Sequence, residues 1–209
     1  MKIPDKIRVK RVPKRGIYDK ETIYRILDTD FMCTVSFMHM GVPVGIPTIY
    51  GRKDNILYLH GAGTSRMLVE LDKGVDLCVT MFNVHGLVLA KSAFHHSLNY
   101  ESVVVFGVGK AVPDDQKMEA LKVVSDQILA NRWEESRLPN EKELKATTVI
   151  AIDISEASAK VRTGPPGDDK ADEDLPIWSG VIPIQKQYME PLPADDYSLK
   201  NKADSVKGF

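Results

Sequence analysis

The 209 residues carry 28 Lys and Arg against 29 Asp and Glu, a formal net charge of −1, with 43% hydrophobic and 27% charged residues. Those proportions suit one folded domain with extensions and exclude a wholly disordered or collagen-like chain. The balanced charge also argues against broad electrostatic capture of nucleic acid. No apolar run approaches the ~20 residues that a membrane-spanning helix needs, and the basic N-terminus lacks the apolar stretch of a secretory leader. Cys33 and Cys78 stand in apolar runs without CxxC spacing, as reduced core thiols do, with one disulfide as the alternative; a cytoplasmic protein is expected.

Residues 1–14 form a basic arm (Lys2, Lys6, Arg8, Lys10, Arg11 and Lys14 against Asp5) that lacks interleaved aromatics and is expected to pack along the domain surface. Asp19 predicts a helix cap, with Ile23, Ile26 and Leu27 on one face and an end near Asp28. Residues 31–40 and 43–50 predict a hairpin around Gly41, and residues 56–60 a third strand. Thr64 is placed as the cap of a helix that ends at Gly74, with Met67, Leu68 and Leu71 inward. Residues 76–82 and 87–94 predict two strands parted by Asn83, His85 and Gly86, and residues 102–112 predict the longest strand. A helix is expected over residues 114–131, capped by Asp114, with a 3.6-residue stripe of Met118, Leu121, Val124, Ile128 and Leu129. Asn140 predicts a cap for a short turn, followed by strands at 147–154 and 157–163. Many strands with few helices favour an antiparallel barrel, a mainly β fold, spanning residues 15–164. The extension 165–209 holds an acidic, proline-bounded loop, an apolar island at 175–184 and a tail from Gln185 that reads as extended or disordered.

Three places could carry chemistry. In Tyr58-Leu-His-Gly-Ala-Gly-Thr-Ser-Arg-Met67 a strand ends, small residues turn, and a helix starts with Thr64, Ser65 and Arg66. Such a start suits an anion, with a plain strand–helix connection as the alternative. Neither GxxxxGK[ST] nor GxGxxG is present. Lys91, within an apolar stretch, needs an anion, a carboxylate or an edge position. The adjacent His95 and His96, with His60, His85 or Cys78 as a third ligand, suggest zinc, but neighbours on a strand point to opposite faces, and ordinary hydrogen-bonding histidines are the expectation. GxSxG, SxxK and HExxH are absent. The carboxylates of 168–174 read as solvated, and Trp133 and Trp178 as packing anchors.

Taken together, RGIYDKETIYRILD, GVPVGIPTIYGRKDNILYLHGAGTSRML, CVTMFNVHGLVLAKSAFHHSLNYESVVVFGVGKAV, EASAKVRTGPP and LPIWSGVIPI resemble the flavin-nucleotide-binding proteins of the pyridoxamine 5′-phosphate oxidase-like group, near relatives of the nitroimidazole-resistance reductases. The resemblance spans about Arg15 to Ile184. It implies an FMN-binding split barrel, a homodimer with FMN at the subunit interface, and an oxidoreductase that passes electrons from a nicotinamide or other small donor to an organic acceptor. A non-catalytic flavin or haem binder, for storage, sensing or relay, is the alternative. By position it implies that His60, Gly61, Ser65, Arg66 and Met67 surround the FMN phosphate, helped by Lys91. It further implies that the backbone of Val44, Gly45 and Ile46 lies against the isoalloxazine edge and that Tyr100 and Ser102 approach from the partner. The group's oxidase has a lysine at the position of Met67, and its substrate-binding Arg and His pattern is not recognisable here, so vitamin B6 oxidation is not implied.

Overall fold

The computed structural model describes residues 3–209; Lys2 of the basic arm lies outside them. After two single-turn segments in the arm come β1 (Gly16–Ile17) and α1 (Lys20–Leu27), then β2 (Met32–His39), β3 (Val42–Lys53) and β4 (Ile56–Ala62). There follow α2 (Arg66–Asp72), β5 (Asp76–Leu89), β6 (Ser97–Ala111), α3 (Lys117–Ile128) and α4 (Glu141–Ala146). The chain ends with β7 (Thr147–Asp153), β8 (Glu156–Arg162), β9 (Gly180–Pro183) and α5 (Asp196–Lys200).

Every strand pairing is antiparallel, and six strands close a ring in the order β6-β7-β4-β3-β2-β5, with β5 pairing back to β6. The ring closes because β6 changes partners along its length. From Tyr100 to Phe106 it pairs with β8, and from Gly109 to Ala111 with β7. β5 does the same: β2 holds its edge from Leu77 to Thr80, and β9 takes that edge over from Gly86 to Leu89. Inside the ring, alternate residues interdigitate (Val35, Phe37, Leu57, Leu59, Val79, Met81, Val103, Val105, Ile150 and Ile152), and α1 and α2 add Ile26, Leu27, Leu68 and Leu71. This period-2 burial is the main stabilising term of the fold.

The hairpin turn places both Met40 and Gly41 at positive φ, the geometry that a two-residue connection requires. Asp19 caps α1 by accepting from the Thr22 amide, and Asn140 forms a full capping box with Glu143 on α4. Other expectations are corrected. The N-cap of α2 is Ser65, not Thr64, and Asp114 lies in a 3-10 turn before α3 instead of capping it. Residues 76–89 form one strand with a bulge between Val84 and Gly86, not two strands. Gly86 is required there because β9 crosses so closely that a Cβ would stand 2.9 Å from Val181 Cγ1. The apolar island adds to the barrel as β9, paired with β5, but Trp178 is 65% exposed, lying over Gly180, and is not a packing anchor. The tail beyond Gln185 is not wholly extended: it forms α5, Lys186 pairs with Asp30, and Ser205 bonds to Glu135. The arm packs along the surface, with Lys6 bound to Glu156 and β1 added to β8.

Candidate functional site

The split in the barrel lies between β3 and β4. These strands pair only from Tyr50 to Lys53, so the stretch of β3 before Tyr50 faces a gap. A two-residue hairpin bonds β2 to Val42, Val44, Ile46 and Thr48, consistent with the Tyr50 amide donating to Phe31 further along. The backbone of Pro43, Gly45 and Pro47 therefore points to the gap, and the two prolines have no N–H. Of the expected trio, Gly45 alone offers a free amide there. The side chains of Val44 and Ile46 pack on the core.

Beyond the gap, β4 runs into the turn Gly61–Ser65. Gly63 donates to Ala146 O at 2.9 Å and Ser65 to Ala62 O at 2.8 Å, which sets the turn's shape. The Ser65 side chain makes no capping bond, and Arg66 is exposed with no ion pair among the described residues. Ser65 and Arg66 are thus neighbours with a free hydroxyl and a free guanidinium, whereas the Gly61 amide faces Thr148 of β7, the parity that the Gly63–Ala146 bond sets along the ladder. Met67 is not part of this surface: its side chain lies in the barrel core, and only its backbone remains available.

His60 follows the alternation of β4 away from the core side taken by Leu57 and Leu59. It lines a pocket of about 320 Å³ with Leu121, Val124 and Ile128 of α3, Trp133 and Pro139. Its Nδ1 is buried without a partner, and burial pushes its pKa below the ordinary histidine value. The other histidines lie beside polar groups. His39 Nδ1 is 3.2 Å from Glu70, although it too is buried without a hydrogen bond; His85 pairs with Glu101 (3.4 Å) and His95 with Asp169 (3.1 Å), while His96 Nδ1 accepts from the Ala90 amide. Among the described residues no group of His, Cys, Asp and Glu could hold a metal ion by itself, so a zinc cluster around His95 and His96 is not formed.

Lys91 is committed elsewhere. Its Nζ donates to the carbonyls of Glu173 and Leu175, and its amide donates to Asp168, which ties the acidic loop to the end of β5. Tyr100 and Ser102 lie on β6 between β5 and β8, apart from the β4–α2 turn. Two residues that the sequence reading did not assign stand out. Glu101 is buried against Arg25 (2.9 Å), and Arg162 is a buried cation. A lone arginine in a strand pattern gives no sign that burial awaits it.

A family model described as pyridoxamine 5′-phosphate oxidase matches residues 19–161. The chain belongs to this family. Within the oxidase family fold it is similar along nearly its whole length to the flavocytochrome Anf3 from Azotobacter vinelandii, with 36% identity, 99% of this chain and 97% of that one covered, and a TM-score of 0.92. It is likewise similar to an FAD and haem binding protein from Mycobacterium smegmatis, with 32% identity, 93% and 96% coverage, and a TM-score of 0.89. A candidate 5-nitroimidazole antibiotic resistance protein from Bacteroides thetaiotaomicron shares the fold at 20% identity, 70% and 86% coverage, and a TM-score of 0.58. No curated protein matches the sequence.

Proposed function

We propose that the chain binds a flavin nucleotide and a haem and relays electrons between a small reduced donor and an acceptor. The observation that carries this reading is the whole-length similarity to two proteins whose descriptions pair flavin with haem. It widens the FMN expectation to flavin, FMN or FAD.

The residues present fit both groups. Gly45 offers an amide at the gap to a flavin ring edge, where a donor steadies negative charge. Ser65 and Arg66 offer a hydroxyl and a guanidinium to its phosphate. His60 has an unpartnered Nδ1 and a pKa lowered by burial, which favours the neutral imidazole that ligates haem iron, and it faces a pocket that is mainly apolar with Ser125, Glu143 and Thr147 at its polar side. The flavin would supply hydride acceptance and one-electron transfer; the chain's part is to bind, orient and tune. The face of the sheet turned away from the core carries Met32, Phe82, Leu87, Leu98 and Ile182, all exposed, and a second copy of the chain is the occupant that this reading gives it.

The test is the visible spectrum of purified protein with mass spectrometry of the released cofactors, then rapid-mixing reduction by NADH and NADPH. A blue flavin band with a Soret band is expected. A colourless protein that takes up neither FAD, FMN nor haemin refutes the reading. His60→Ala is expected to abolish the Soret band and keep the flavin. Retention of an unshifted Soret band moves the haem elsewhere.

A further inference from the structure

Arg162, at the end of β8, is 8% exposed, yet no carboxylate meets it. Its Nη1 donates to Asn99 Oδ1 and to Gly164 O (3.3 Å), its Nη2 donates to Pro165 O (3.1 Å), and its Nε is buried without a partner. All three acceptors are neutral, so the positive charge is held in place but not balanced, which is costly unless something outside the chain balances it.

More positive charge is gathered beside it. Lys160 lies two residues back on the same face of β8, and β1 pairs Gly16 with Lys160, which sets Arg15 alongside. Neither Lys160 nor Arg15 has an ion pair among the described residues. The other end of β8 is treated differently: there Glu156 holds Lys6 at 2.6 Å. In register with Arg162 stands Tyr100, and with Lys160 stands Ser102. Leu98 extends the same face and is exposed.

We propose that Arg162, Lys160 and Arg15 form a second anion site, separate from the Ser65–Arg66 turn, that takes a nucleotide phosphate. Three cations without a carboxylate call for more than one negative charge, which a phosphate or pyrophosphate supplies and a single carboxylate does not. The Tyr100 ring beside them offers a surface for the heterocycle, so a nucleotide fits better than free phosphate. Two sources share this chemistry: the second phosphate of a flavin dinucleotide and the phosphates of a nicotinamide dinucleotide. The first source rests on the flavin reading above; the second does not.

Charge reversal at Lys160 and Arg15 tests the site and leaves the Arg162 network intact, since Arg162 also ties down the turn at Gly164 and Pro165. Lys160→Glu and Arg15→Glu are compared with the unaltered chain in calorimetric titrations with FAD, FMN, NADPH and inorganic pyrophosphate. The expected result is at least about tenfold weaker pyrophosphate binding in both variants. If FAD alone falls to the affinity of FMN, the flavin's second phosphate occupies the site. If NADPH alone weakens, the donor does. If neither variant changes the affinity for pyrophosphate, NADPH or FAD, or if FMN weakens as much as FAD, the separate site is overturned. An unaltered chain that binds no flavin refutes the flavin reading, while the NADPH and pyrophosphate titrations still decide this one.

Discussion

At residue scale, the packing of α3 on the barrel rests on a missing side chain. A Cβ on Gly51 would stand 2.6 Å from Val124 Cα and 2.7 Å from Val123 O, backbone atoms that cannot swing aside. Gly51→Ala is therefore expected to lift α3 away and cost about 3 kcal/mol, read as a lower denaturation midpoint. A midpoint equal to that of the parent would mean α3 is free to shift. The two thiols should also separate. Cys33 is buried and its pKa is pushed up to about 12 by desolvation, whereas Cys78 is half-buried on the outer face of β5. A thiol reagent at mild alkaline pH is expected to label Cys78 alone before denaturation and both cysteines afterwards. Labelling of Cys33 in the folded protein would contradict its burial.

At element scale, α4 depends on Glu143, which closes the capping box and pairs with Arg137; the Arg137 hydrogen bond first, then the Asn140 amide, hold its carboxyl down to about 2. Its folded pKa is depressed, so its contribution is present above the ordinary value of 4.5 and fades as pH falls toward 2. Glu143→Gln should melt at a lower temperature than the parent at neutral pH, with the gap closing between pH 4.5 and 2. A gap that persists at pH 2 would assign the effect to packing. For β9, truncation after Gly164 should speed amide exchange over residues 84–89, while 77–80 remain protected by β2. Uniform exchange along β5 would show that the edges are not independent.

What could be read from the sequence follows the range of the forces involved. Caps at Asp19 and Asn140, the hairpin at Gly41 and the alternation of the barrel strands are local, so the residues announce them. His85-Gly86 reads as a turn because glycine breaks strands in general; the real reason for Gly86 is a strand that arrives nearly a hundred residues later. Lys91 reads as a ligand for an anion because its carbonyl partners, Glu173 and Leu175, are equally remote. In the candidate site, the sequence placed Gly61, Ser65 and Arg66 at one strand-to-helix junction, and they stand there between β4 and α2. The burial of Met67 in the core was not separable from a place at the loop, because a helix start offers both faces to the same residue.

At the scale of the whole molecule, the exposed apolar row of Met32, Phe82, Leu87, Leu98 and Ile182 is the surface on which the proposed dimer would close. Under the proposed function, sedimentation at micromolar concentration is expected to give twice 23.3 kDa, and Phe82→Asp to give a monomer that retains no flavin. A cofactor-loaded monomer would refute the shared site.

The double pairing of β6 also sets a timetable for synthesis. The ring stays open between β4 and β6 until β7, residues 147–153, is available to fill that place. While the ribosome is still adding those residues, β2 to β6 can only form a sheet with two bare apolar margins, and such margins invite pairing with other chains. The segment from Thr147 onward thus decides whether the residues before it become a barrel or an aggregate. A stalled nascent chain ending before Thr147 should depend on a chaperone that the finished protein no longer needs.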